Sequence, residues 1–508
     1  MKKCVIIGSG LGGLSTAVIL AKNGYQVTVL EQGHQIGGCL QCFRRGDALF
    51  DTGMHYIGSA DPGQTLHTIL RYLGIHDHIH LSRLNPSGYD IVSLNGDHYR
   101  FANGKEPFVE TLAQHFPQSR DELHRYYDLI QSVATSSAMH SLNREVDLDI
   151  NAEYQTRSVN EVIAHTVSNP LLRQVLAGIQ PLYAGEKDRT PFSTHALITD
   201  FYNKSAFRIV GGSSTVADAL ATVIRENGGK IVTDCKAVKI ECDDTHATAV
   251  ISENQSPCNE REGQRYPADL IISAIHPAAT LDLIDSHLLR PAYIRRIRNA
   301  RNTISAFTVY LQFRKDSVPY MNHNLYLYTT SNTWDALGYN QHSTPNTQRP
   351  KVALYMHFCH ADQPAYAHTA EIITYMSINE VQRWANTTPF HRGQDYEIFK
   401  RQMAERLIDL VQQEYPHLRE NIAHYYTSTP LTYLHYTRIP DGAMYGIAKD
   451  VNALGGGSIS PRTRIPNLLL TGQSTASHGM LGTLAGSLLT CAEILTTDEI
   501  FAQLKKHS

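Results

Sequence analysis

The first thirty residues constrain this chain most. Cys4-Val5-Ile6-Ile7 is a short apolar run of strand type, and Gly8-Ser9-Gly10-Leu11-Gly12-Gly13 follows it as G-x-G-x-x-G. A helical stretch runs from Leu14 to Lys22 and ends at Gly24. Tyr25 to Leu30 then reads as a second strand, closed by Glu31, 18 residues after Gly13. Together these parts make a β-α-β unit that binds a dinucleotide. Gly8 permits the tight turn, Gly10 lets the backbone approach a pyrophosphate, and Gly13 lets the helix pack on the sheet. Leu11 and Gly12 complete the turn into the helix, whose N-terminus offers unsatisfied N–H groups to the anion. Glu31, with Gln32 beside it, accepts hydrogen bonds from ribose hydroxyls and repels a 2′-phosphate.

The same segment imitates a secretory signal, since Lys2-Lys3 precedes an uncharged run from Cys4 to Ala21. Four glycines within that run are out of place in a signal core, and a spanning helix built from it would be short and full of poor helix formers. The run is read as soluble structure. With 508 residues, the chain has room for roughly two to four domains. Forty-five Lys and Arg against 48 Asp and Glu argue against a nucleic-acid partner, which needs a basic excess. Eight cysteines are too few for a disulfide framework, so a reducing cytoplasm is expected. Twenty-seven Tyr against 14 Phe suit a lipophilic cavity that still needs hydrogen bonds, and equally suit surface variation.

Further along, Gly37-Gly38 follows Glu31 at a spacing of six, and Asp51-Thr52-Gly53-Met54-His55 comes after Phe50. Near the other end stand Leu468-Leu469-Leu470-Thr471-Gly472-Gln473-Ser474 and His478-Gly479-Met480-Leu481-Gly482-Thr483-Leu484-Ala485-Gly486. On these residues the chain resembles the two-domain FAD flavoproteins that include phytoene desaturases, carotenoid isomerases and retinol saturases. The resemblance implies an α/β fold of amine-oxidase and phytoene-desaturase type: a Rossmann-like FAD-binding domain with a discontinuous substrate domain of mixed sheet plus helical cap. It implies that Gly37, Gly38 and Cys39 belong to the FAD site and that Gly53 and His55 pass near the flavin ring. It also implies that backbone at Val238 contacts the adenine, and that Gly472, Gln473, Gly482, Thr483 and Leu484 close the site. On this resemblance, 478–486 is the glycine-rich turn into a closing helix, whose N-terminus would stabilise charge at the N1–C2=O end of reduced flavin. NAD(P)H is an additional candidate, as electron donor.

The FAD-binding pieces are read as 1–90, 205–290 and 450–508, with substrate-domain pieces at 91–204 and 291–449. Leu123, Tyr126, Tyr127, Ile130 and Val133 at helical spacing predict an α-helical cap over 106–180. Residues 303–313 and 352–358 read as substrate-sheet strands, and 252–267 and 340–351 as polar hairpin connections. His76-Asp77-His78-Ile79-His80 alternates, which predicts a strand with three His on one solvated face; a metal site there is the alternative. His357-Phe358-Cys359-His360 has no second pair at ligand spacing. Arg290, Arg295, Arg296, Arg298 and Arg301 read as a solvated helix face or as a patch for anionic lipid headgroups.

His55 heads the catalytic candidates, because an imidazole titrating near neutral pH suits proton donation beside a flavin. A structural His bonded within its own loop is the alternative; Tyr445 and His478 stand second. The resulting expectation is an FAD-dependent oxidoreductase that saturates or isomerises C=C bonds of a long conjugated isoprenoid, cytoplasmic or peripheral to the membrane. Two rivals remain open: a flavoprotein disulfide reductase using Cys39 and Cys42, which lacks a second G-x-G-x-x-G here, and a non-catalytic prenyl-lipid carrier of the GDP-dissociation-inhibitor type.

Overall fold

A computed structural model describes residues 1–255, 263–337, 350–358, 360–362 and 364–507. Its first sheet is assembled from both ends of the chain. Strand β1 (Lys3–Ile7), helix α1 (Leu11–Lys22) and β2 (Gln26–Leu30) form the opening unit. β3 (Lys230–Val232), β4 (Leu270–Ser273) and β5 (Leu468–Leu470) complete a five-stranded sheet in the order β3-β2-β1-β4-β5. All neighbours are parallel, with Val5 opposite Thr28 on one side and Ile271 on the other. A strand in the middle of a parallel sheet is covered on both faces, which is why Cys4, Val5, Ile6 and Ile7 form an unbroken apolar run, each at most 4% exposed. Helix α2 (Gly479–Leu495) returns beside α1, where Ser487 Oγ lies 2.7 Å from Ser15 Oγ.

A seven-stranded sheet carries the other half of the molecule. Its order is 422–428, 305–313, 369–376, 352–357, 324–328, 90–94, 97–101, antiparallel throughout except between 324–328 and 90–94. The strands expected at 303–313 and 352–358 are Ser305–Phe313 and Val352–His357. Asp90, the expected end of an FAD-binding piece, begins a strand of this sheet. Six helices between Lys105 and Ala177 make the cap, and Leu123, Tyr126, Tyr127, Ile130 and Val133 are all buried on the helix Arg120–Thr135.

The alternating histidines do not form a strand. Gly74, at φ +80°, ends the helix Thr65–Leu73, Ile75 is buried, and His76–His78 makes one 3₁₀ turn with His78 N–H donating to the Ile75 carbonyl. His76 packs instead against the ring of His67 at 4.8 Å. Around the first expected hairpin, Ala247–Asn254 pairs antiparallel with Gln264–Pro267, and 256–262 lie outside the described residues. So do 338–349, most of the second, and Cys359. Both ring nitrogens of His357 are engaged, Nδ1 accepting from Met321 N–H at 2.9 Å and Nε2 2.7 Å from the Tyr355 hydroxyl. The arginines at 290–298 sit on or beside the short helix Pro291–Arg298, where Arg298 pairs with Asp282 at 2.7 Å.

Candidate active site

The β1–α1 turn opens onto a cavity of about 470 Å³ at the carboxyl ends of β1 and β2. Its walls include Gly8, Gly10, Leu11, Gly12, Glu31, Gln32, Gly38, Cys39, Gly472, Gln473 and Thr483. Gly10 caps α1 in extended backbone (φ −64°, ψ 172°) with no side-chain cap, so the first N–H groups of the helix stay free for an anion. A Cβ on Gly10 would meet nothing within 4 Å, whereas one on Gly12 would lie 2.7 Å from Gly472 Cα. The far end of the chain therefore closes directly over the dinucleotide turn. Glu31 is braced by Ser9 and by Gly33 N–H (2.8 Å), which holds its carboxylate at the cavity wall. An anion cradle at one end, an acid beyond it and a Gly–Gln wall opposite fit FAD; Gly10 to Gly12 would hold its pyrophosphate and Glu31 its ribose.

Other expected FAD residues stand behind this wall. A Cβ on Gly13 would sit 2.0 Å from the Gly8 carbonyl oxygen, so Gly13 serves helix seating. Gly37, at φ +112°, donates its N–H to the Ser9 carbonyl at 3.0 Å, and Leu484 is buried in the core. Gly482 lines a separate cavity and packs tightly on the preceding loop, where a Cβ would fall 2.5 Å from the Ser477 carbonyl carbon. Val238 is displaced: a register shift between Ala237 and Lys239 interrupts the strand Cys235–Cys242, and Cys235, Lys236 and Ala237 form the wall.

Gly53, His55 and Tyr445 line a second, apolar cavity of about 80 Å³ together with Tyr56, Leu354, Met356, Ile373, Tyr375 and Tyr433. Cys39 and Thr437 belong to the walls of both cavities. His478 lies in the wall of a third, of about 530 Å³, which shares Leu182 with the second. The tilted rings of Tyr445 and His478, with centroids 4.7 Å apart, stand between these two.

Electrostatics around His55 depart from expectation. Burial and the Arg208 guanidinium push its pKa down to about 3, so at neutral pH it is an uncharged imidazole and not a proton donor in its own right. His478 is likewise lowered to about 3 by burial and by Lys449. Arg208 is 1% exposed and donates to the His55 carbonyl at 3.0 Å. Around it lie Asn324, which donates to Asp90 at 2.6 Å, and Tyr56, which donates to the other Asp90 oxygen at 2.8 Å. Burial raises Asp90 to about 7.

The group that sequence reading misses is Glu371, on the strand Thr369–Met376. It is fully buried and neither carboxyl oxygen has a hydrogen-bond partner; Oε2 lies 3.5 Å from the equally unpartnered Nδ1 of His55. Its pKa is driven far above the usual carboxylate range by burial and by Asp51. A lone Glu in Thr-Ala-Glu-Ile-Ile-Thr carries no motif, so no local signal points to it.

The cysteines fit a disulfide reductase poorly. Burial raises both thiols, that of Cys42 to about 12, while redox cysteines need lowered values. Cys42 instead donates to Asp51 at 3.3 Å.

The chain is similar to the human all-trans-retinol 13,14-reductase, 27% identical with 99% of this chain and 86% of that protein covered. It is also similar to a 4,4'-diaponeurosporene oxygenase of Staphylococcus aureus, 22% identical with 94% and 97% covered. Among solved structures, an oxidoreductase from Methanosarcina mazei superposes with a TM-score of 0.65 at 19% identity, covering 96% of this chain and 99% of that one. The family model of flavin containing amine oxidoreductases matches residues 11–495, a span that runs from the dinucleotide turn to the closing helix, and the chain belongs to that family.

Proposed function

We propose that this FAD-dependent oxidoreductase saturates a C=C bond of a long conjugated isoprenoid lipid, of carotenoid or retinoid type. The observation that carries this reading is the meeting of an apolar, tyrosine-lined cavity with the dinucleotide cavity at Cys39 and Thr437. The activities named for the human and staphylococcal relatives, both concerning conjugated isoprenoids, support it. A long polyene needs more room than the second cavity alone, and the third adjoins it through Leu182 and the Tyr445–His478 ring pair.

Bound and reduced, FAD supplies hydride for such chemistry. The chain's own residues do the rest. Leu354, Met356 and Ile373 exclude water from the reacting carbons. The Tyr375 hydroxyl, buried without a hydrogen-bond partner, holds a polar end of the substrate. His55 enters uncharged and gives a proton only if another group replaces it. We assign electron supply to NAD(P)H, and substrate entry to contact between the arginine helix and anionic lipid at the inner face of the membrane.

Photoreduced holoenzyme, incubated without oxygen with a panel of polyenes, tests the reading. Flavin reoxidation with loss of conjugation in one polyene is the expected result. Cis/trans change with the flavin still reduced would make the protein an isomerase, and no change with any polyene would overturn the reading.

A further inference from the structure

We propose that Glu371 is the proton store of this site: as a carboxylic acid it holds His55 by Nδ1 and recharges the ring as Nε2–H protonates a substrate carbon. The inference rests on the reductive reading above.

Two unsatisfied buried groups face each other here. Neither oxygen of Glu371 nor the Nδ1 of His55 has a hydrogen-bond partner, and they lie 3.5 Å apart. An orphaned buried polar group costs about 1–3 kcal/mol, so two of them side by side imply one missing bond between them. An ion pair would bring an imidazolium next to the Arg208 guanidinium and leave it without further hydrogen bonds, which is unfavourable in a buried site. A neutral O–H···N bond satisfies both atoms with one proton, and catalytic hydrogen bonds of this kind tighten when substrate binds.

The surroundings favour the acid form. Glu371 pairs with Tyr310 and Met356 on interior strands of the sheet. Asp51 faces it from a neighbouring strand and raises it; Arg208 and the Asp51 N–H, which lies outside hydrogen-bond geometry, oppose the rise. Tyr310 and Tyr433 are close, but their hydroxyls are engaged with Ser428 (3.2 Å) and Thr308 (2.9 Å).

With Nδ1 accepting, the imidazole hydrogen must reside on Nε2, the ring nitrogen left for the cavity that His55 lines. In the step, one alkene carbon takes hydride from reduced flavin. The π pair forms a C–H bond at the other carbon with the Nε2 proton. The O–H bond of Glu371 breaks as N–H forms at Nδ1, leaving a neutral imidazole and a carboxylate beside Arg208. Solvent returns one proton once product leaves.

The test begins on oxidised holoenzyme without substrate. Infrared difference spectra at neutral pH should show a free-acid carbonyl stretch that shifts in D2O and is absent in Glu371→Gln. Polyene reduction by Glu371→Gln should fall about 100-fold, the scale of general-acid catalysis, with FAD affinity and photoreduction unchanged. The wild-type rate should decline as pH rises through the Glu371 pKa, and the variant should lack that limb. An ionised Glu371, or a variant with the wild-type rate and pH profile, overturns the proposal. If Glu371→Gln does not fold, the wild-type carbonyl band and its pH titration decide. A missing band in an enzyme that saturates polyenes removes the proton store alone. The band without turnover of any polyene removes the reductive reading and leaves the pair.

Discussion

At the scale of single residues, buried titratable groups set how the protein responds to pH, and they act in opposite directions. His55, His195, His357 and His478 all have folded pKa values near 3, against 6.5 when unfolded. Between those values the unfolded chain binds more protons, so stability falls as pH drops from about 6.5, by up to about 1.4 kcal/mol per pH unit for each group. Urea midpoints measured from pH 7 to pH 4 should show this steep loss. Glu371 has the reverse sign, because its folded pKa lies above the unfolded 4.5. Above pH 4.5 the unfolded chain has lost that proton while the folded one keeps it, so its contribution is lost as pH rises. Glu371→Gln should therefore gain stability relative to wild type between pH 5 and pH 8, and paired thermal melts at the two pH values measure it. The thiols complete the residue scale. With Cys39 and Cys42 both raised by burial, Cys39→Ser and Cys42→Ser should leave flavin absorption unchanged on partial reduction. A charge-transfer band abolished by either variant would restore the disulfide-reductase alternative.

At the scale of elements, the glycines of the first turn separate into two kinds. Gly13 is needed for packing, since a methyl there would lie 2.0 Å from the Gly8 carbonyl oxygen. Gly13→Ala should lift α1 off the sheet, cost about 1–3 kcal/mol and release FAD as a consequence. Gly10 has ordinary φ of −64° and open space about its missing Cβ. Gly10→Ala should leave the apoprotein's melting temperature unchanged, yet its methyl would intrude where the backbone is expected to meet the pyrophosphate. FAD affinity should then fall at least about 10-fold, or 1.4 kcal/mol, as read by fluorescence titration. The segment 3–31 was legible because a β-α-β unit is local: its turn glycines, apolar strand and terminal acid lie close along the chain. Val238 and the histidines at 76–80 were not, because a one-residue bulge and a single 3₁₀ turn leave no periodicity to read.

For the whole molecule, the dinucleotide cavity exists because residues more than 400 apart in sequence meet. Gly12 touches Gly472, and Ser15 hydrogen-bonds Ser487. A ligand that grips both ends binds the folded state alone, so FAD at 100 times its Kd should stabilise the protein by about 2.7 kcal/mol. Melting temperatures across an FAD titration measure this, and the gain should shrink in Gly10→Ala.

The amino-acid sequence by itself determined the dinucleotide turn, the closing Gly-Gln segment, the helical cap and the family these imply, since each is a short run whose spacing carries its own geometry. Tertiary structure alone decided the state of the reacting side chains. The imidazole of His55 reads from its surroundings in sequence as a neutral-pH acid, but burial beside Arg208 makes it an uncharged ring. Glu371 reads as the one charged residue of the strand Thr369–Met376, but the sheet and the strand Ala48–Asp51 bury it against that ring. Protonation depends on the dielectric and charges within a few ångströms, and for this pair those come from strands far apart along the chain.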